Sequence, residues 1–185
     1  RNLARGEAYQ VEAPSLWDTT FHTAVAQAEL EERDRPGAYY TLVFHTPGGN
    51  DIHVATTRPE LVAACVALVA HPDDTRYQPL FDTTATTPVF GVEVPVMAHR
   101  LADPDKGTGI AMICTFGDTT DVTWWRELDL PVRAIVTREG RIAAETPPGL
   151  DTEAASAYAR LANKTIHSAQ NEMVTMLAEA GELIG

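Results

Sequence analysis

The chain is short of most of what would announce a familiar chemistry. Only two cysteines occur among 185 residues, Cys65 and Cys114, and neither belongs to a Cys-x-x-Cys pair. That excludes a disulfide framework and a thiolate zinc site. The six histidines, His22, His45, His53, His71, His99 and His167, form no His-x-His or His-x-x-x-His pair, so no metal centre is expected. Serine is scarce: Ser15, Ser156 and Ser168 are all, and no Gly-x-Ser-x-Gly elbow exists. Gly107-x-Gly109 lacks the third glycine and the lysine of a phosphate loop. No apolar run is long enough to cross a membrane, and no signal peptide is written. Positive charge is scarce too. Lys plus Arg is 14 against 26 Asp plus Glu, a net charge of −12. A protein that grips a nucleic-acid backbone unaided needs the opposite balance. The surplus acid reads as a solvated surface.

What is present is an ordinary globular composition, 44% apolar, and enough length for one large domain with a sizeable core. The start at Arg1 without Met suggests a piece of a longer cytosolic protein. Tyr39 to Phe44 and Asp51 to Ala55 read as strands around the turn Pro47-Gly-Gly-Asn50. Ala24 to Glu32 reads as a short helix or an edge strand, and Arg35-Pro-Gly37 as a turn. Pro59 suits a first helical turn, and Leu61 to Val69, apolar on most faces, is expected to continue that helix, with Cys65 as buried filler. Further strands are expected at Thr83 to Pro88, Val92 to Ala98 and Thr108 to Cys114, and a hairpin from Val132 to Ala143. Asp118 to Leu128 reads as a helix capped by Asp118, and Asp151 to Leu161 and Thr165 to Ala180 as two more, the last closed by Gly181. Helices do not alternate regularly with strands. The expected fold is therefore mixed α/β, a closed or nearly closed β-barrel core flanked by helices.

Two turns concentrate the polar chemistry. Ala55-Thr-Thr-Arg-Pro-Glu60 ends one strand, and Gly107-Thr-Gly-Ile-Ala-Met-Ile-Cys-Thr-Phe-Gly-Asp118-Thr-Thr-Asp121 spans another strand and a helix start. Facing each other, they would line a pocket with threonine hydroxyls and carboxylates, which suits a cationic amine beside an ester. Spacing alone leaves plainer readings open. Asp118 and Asp121 can be an N-cap and a dipole-compensating acid, and Arg58 a salt-bridge residue. Trp124 and Trp125 can stack on a nucleotide or fill the core.

In order and spacing, these runs resemble the editing domain inserted into the catalytic domain of class I valyl-tRNA synthetases, related to those of the isoleucyl and leucyl enzymes. The resemblance rests on Ala55-Thr-Thr-Arg-Pro-Glu60, His71-Pro-Asp-Asp-x-Arg-Tyr77, Gly107-Thr-Gly109 and Asp118-x-x-Asp121, and covers essentially the whole chain as one domain. His-Pro-Asp-Asp-x-Arg-Tyr leans toward the valyl type. It implies hydrolysis of threonine wrongly attached to valine tRNA, because an apolar synthetic pocket cannot strongly reject an added hydroxyl. It implies Asp121 at the substrate ammonium, Asp118 either orienting the threonyl side chain or stabilising the loop, and Thr56, Thr57 and Arg58 on the wall holding the terminal adenosine and the ester. Asp121, Asp118, Thr57 and Arg58 are the catalytic candidates; Glu60, Met112, Cys114 and Phe116 join them and Thr56 as substrate-binding candidates. No protein nucleophile, metal or cofactor is implied, and the expected partners are the acceptor end of the tRNA and the rest of a cytoplasmic synthetase. The chain departs from the family run at Met112 (usually Lys), Cys114 (usually Thr), Leu61 (often Thr) and Gly117, where the family's Pro-Ala-His-Asp has become Thr-Phe-Gly-Asp. Those losses motivate a second reading, a module that binds the acceptor end with hydrolysis weakened or lost. An independent small hydrolase fits less well, since no nucleophile constellation is present.

Overall fold

Residues 2–8, 14–31 and 37–184 are described by a computed structural model of the chain. Two short strands come first, β1 (Leu16–Asp18) and β2 (Thr23–Val25), paired antiparallel. A 3₁₀ turn, Gln27–Glu29, follows. The segment 24–32 thus opens as a strand end rather than a regular helix; Glu32, Arg35 and Pro36 lie outside the described residues.

Strands β3 (Tyr40–Phe44) and β4 (Ile52–Thr56) form the expected hairpin, in register from Tyr40 opposite Thr56 to Phe44 opposite Ile52. Gly49, at φ +76°, makes its turn, a conformation that glycine adopts without a Cβ clash. Along β4, Ile52 and Val54 are buried while His53 between them is exposed, so alternation sets which face meets the core.

The next segment corrects the expectation of a helix over 61–69. Pro59–Ala64 is a 3₁₀ turn, and Ala67–Ala70 is a strand, β5. Strands β6 (Thr84–Thr86), β7 (Glu93–Ala98) and β8 (Ile110–Ile113) complete a sheet of order β6-β7-β5-β8. β5 runs parallel to β7 and antiparallel to β8. It is buried on both faces: Leu68 and Ala70 join the main core, Ala67 and Val69 a smaller one. A strand buried on both faces has no polar side, so its sequence reads like a buried helix, and periodicity cannot separate the two.

Helix α1 (Thr119–Glu127) covers the smaller core through Trp124, beside Val66, Ile113 and Leu130. Helices α2 (Thr152–Ala159) and α3 (Ile166–Ala180) pack on the main core with Tyr158, Met173 and Leu177, and Gly181 closes α3 at φ +72°. Of the expected hairpin from 132 to 143 one bridge forms, Val136 with Ile142, flanked by hydrogen bonds from the Thr137 amide to the Arg141 carbonyl and from the Ala143 amide to the Ile135 carbonyl, both 2.8 Å, and Arg141 bridges Thr165 as well.

The expected closed barrel is not formed among the described residues. The strands make sheets of two, two and four. The hairpin and the large sheet meet at two seams. At one, His45 and Thr86 exchange backbone hydrogen bonds of 3.1 and 2.7 Å. At the other, β4 lies against β8, and the Ala55 amide donates to Thr108 Oγ1 at 3.2 Å. Neither seam carries a ladder, so the six strands form a split ring. No helix among the described residues is long and apolar enough to cross a membrane.

Candidate functional site

The second seam builds the site. β4 ends at Thr56, whose Oγ1 accepts from the Arg58 amide at 3.0 Å, turning the chain. Gln170 on α3 donates to the Thr57 carbonyl at 2.8 Å and fixes the turn from behind. Gly107-Thr-Gly109 enters β8 beside it. A Cβ on Gly107 would sit 3.1 Å from the Ala55 Cβ, so the close approach of the two turns requires glycine there. Tyr77 Oη donates to the Thr108 carbonyl at 2.7 Å. Arg76 spans the Asp74 carboxylate at 2.6 Å and the Pro104 carbonyl at 2.9 Å. The His71-Pro-Asp-Asp-x-Arg-Tyr run is therefore a brace under the loop that leads to the site.

Beyond β8 the chain turns at Thr115, φ +61°, and enters α1. Asp118 caps the helix by accepting from the Thr120 and Asp121 amides at 2.7 and 2.9 Å. Asp121 is 7% exposed and accepts from the Gly117 amide at 3.0 Å. Burial, with the Asp118 carboxylate nearby, pushes its carboxyl up to about 6. A Cβ on Gly117 would lie 2.6 Å from Asp121 Oδ2, so the missing side chain is what lets the carboxylate fold back onto the loop.

Arg58 ties the turns together. Its Nε donates to Glu60 Oε1 at 3.1 Å and its Nη1 to the Gly117 carbonyl at 3.2 Å. Glu60 is 1% exposed, and its Oε2 has no hydrogen-bond partner. Beneath α1, His99 Nδ1 accepts from Trp124 Nε1 at 3.0 Å and from the Leu101 amide at 3.1 Å, leaving Nε2 to donate to Glu127 at 2.8 Å.

These elements enclose a cavity of about 540 Å³. Thr56, Thr57 and Arg58 line it from the first turn, Met112 and Cys114 from β8, Asp118 and Asp121 from α1. Two candidates fall elsewhere. Glu60 is buried behind Arg58, and Phe116 lines a neighbouring cleft, in edge contact with Trp125. Of the two tryptophans, Trp124 is core. Its ring also reaches the cavity wall, as does the exposed Lys106, a cation the sequence reading passed over. Its signal was its position directly before Gly107-Thr-Gly109. Cys65 and Cys114 are both buried free thiols, and a hydrogen bond between them together with burial pushes the Cys114 thiol well up. Among the described residues no three His, Cys, Asp or Glu side chains gather to hold a metal.

The chain is 69% identical over its full length to a valine--tRNA ligase of Thermobifida fusca (strain YX), and 65% identical to that of Leifsonia xyli subsp. xyli. The chain belongs to the valyl-tRNA synthetase family. It spans about a fifth of the length of these curated relatives, 21% and 22%. No family model matches it. Its fold resembles part of a LeuRS from Agrobacterium radiobacter K84, crystallised as a ternary complex with tRNA and LeuAMS. The TM-score is 0.56 at 17% identity, covering 78% of this chain and 19% of that one. The likeness to this LeuRS is one of fold.

Proposed function

We propose that this domain hydrolyses threonine from mischarged valine tRNA, as the editing unit of a longer valyl-tRNA synthetase. The observation that carries this reading is a buried carboxylate, Asp121, in a cavity whose other wall is Thr56, Thr57 and Arg58. A buried acid, 7% exposed and held by backbone amides with no cation in direct contact among the described residues, has capacity for one. The α-ammonium of an aminoacyl ester supplies one. The ammonium draws the Asp121 carboxylate into its ionised form and fixes the ester carbonyl relative to the threonine wall. Asp118 presents its second oxygen toward the amino-acid side chain, where a threonyl hydroxyl gains a hydrogen bond that valine cannot make.

The reaction needs no protein nucleophile. Water adds to the ester carbonyl carbon, forming a tetrahedral oxyanion. Arg58 lies beside that charge, and hydroxyls of Thr56 and Thr57 orient the water. The bond from carbonyl carbon to ribose oxygen then breaks, the ribose oxygen takes one proton of the attacking water, and threonine leaves as its carboxylate with the other proton released to solvent. Catalysis here is orientation and electrostatics. The terminal adenosine of the tRNA and the remainder of the synthetase are the partners of this reading.

One observation favours a second reading, an acceptor-end binding module. In the free domain one oxygen of the cavity-lining Asp121 is already engaged by the Gly117 amide. A single comparison separates the two. Threonine release from pre-charged threonyl-tRNA for valine is measured with the full-length synthetase, wild type against Asp121→Ala, with valyl-tRNA as control. Editing requires fast loss of threonine alone, reduced about 100-fold or more by the substitution. Release at the spontaneous rate from the wild type would leave the binding module.

A further inference from the structure

A second cleft, about 260 Å³, opens off the cavity through Arg58, Leu61, Cys114 and Gly117, which line both. Its outer wall is Phe116, Arg133 and Val136, and no carboxylate lines it. That is unusual on a chain of net charge −12. Arg133 is half-buried. Its Nη1 donates to the Cys65 carbonyl at 3.1 Å, and among the described residues no acid pairs with it. Thr115 fixes the backbone of this wall. Its Oγ1 accepts from the Arg133 amide at 3.0 Å and donates to the Arg133 carbonyl at 3.2 Å. Phe116 is 37% exposed, although a ring this size is usually covered, and Val136 is 40% exposed.

Two guanidinium groups with spare donors and an open aromatic ring are the recognition set for one nucleotide of a single strand. Arginine forks match phosphate oxygens, and the ring takes a base by stacking. The cleft also begins where the cavity ends. We propose that it holds the nucleotide immediately before the aminoacylated terminal nucleoside, its phosphodiester on Arg133 and Arg58 and its base against Phe116. This rests on the editing reading, because that reading puts the terminal nucleoside in the main cavity. The cleft thereby distinguishes an RNA-borne ester from a free one.

The test uses the full-length synthetase, wild type, Arg133→Gln and Arg133→Lys, with two substrates: threonyl-tRNA for valine and threonyl-adenosine, which lacks the preceding phosphate. Arg133→Gln is expected to raise KM for the tRNA about tenfold, leave kcat and threonyl-adenosine hydrolysis unchanged, and lower the salt slope by about one. Arg133→Lys should recover part of the loss. An unchanged KM for the tRNA, or equal losses on both substrates, would overturn the proposal. Binding supplies an arm that does not need turnover: affinity for the dinucleotide CpA against adenosine, read by competition. Arg133→Gln should cost about tenfold for CpA only. If the wild type hydrolyses neither substrate, the editing reading has failed, and the CpA comparison alone decides the cleft, equal binding by wild type and variant ruling it out.

Discussion

Asp121 is costly to the free domain. With its carboxyl at about 6 in the fold against 3.8 ordinarily, the protonated form is the one the fold prefers. The stability this gives is complete below pH ~4 and is lost as pH rises through about 6. Asp121→Asn should therefore raise the ligand-free Tm at pH 7–8, by the equivalent of about 1–3 kcal/mol, with no gain near pH 4. Thermal melts across that range check it, and a gain that persists at low pH would refute the burial argument. The same titration predicts that KM for threonyl-tRNA climbs as pH falls below about 6, because a neutral carboxyl no longer pairs with the ammonium. Residues 55–60 and 107–121 reveal most of this cavity in sequence, since hydroxyl and acid side chains sit at the ends of readable strands. Glu60 and Phe116 mislead for a physical reason. A carboxylate next to a site residue in sequence can point into the core, and an aromatic one residue from a turn can point either way. Lys106 escapes notice because one lysine in a polar loop has no pattern of its own.

At the scale of elements, α1 carries both acids, and its placement depends on what lies under it. His99 accepts the Trp124 indole N–H and donates to Glu127, so one imidazole joins the end of β7 to the C-terminal half of the helix at two points. His99→Ala leaves a buried indole donor without a partner, at a cost of about 1–3 kcal/mol. Amide hydrogen exchange of residues 119–127 should then accelerate more than that of β3 and β4. Uniform acceleration would mean that α1 does not open as a unit. The elements with a single buried face, β4, β7, α1 and α3, are legible in sequence because one face is polar. β5 is not, for want of any polar face, and the pairing of Arg141 with Thr165 is invisible to local turn signals. The split of the expected barrel into sheets depends on hydrogen bonds at two seams, which no strand pattern encodes.

For the whole molecule, charge and function pull apart. A net charge of −12 opposes a polyanion, while the cleft of Arg58 and Arg133 is lined by no carboxylate. This domain alone should bind valine tRNA weakly at physiological salt, above micromolar, and more weakly as salt rises. Filter binding or anisotropy measures this, and sub-micromolar affinity would contradict it. The rest of the synthetase would then supply most of the grip, and this domain the chemistry at the strand's end.

The strand order β6-β7-β5-β8 also sets a sequence of events in time. Apart from β6 with β7, no strand of this sheet pairs with its neighbour in the chain. β5 leaves the ribosome with no hydrogen-bonding partner. It waits for β7 and then for β8, and only after β8 does α1 arrive with Asp118 and Asp121. The threonine turn at the end of β4 is made long before the acids that complete the site. Non-local pairing of this kind slows folding and leaves an apolar strand uncovered meanwhile. The cavity is thus the last thing the nascent sheet assembles, and an interrupted synthesis yields one wall without the other.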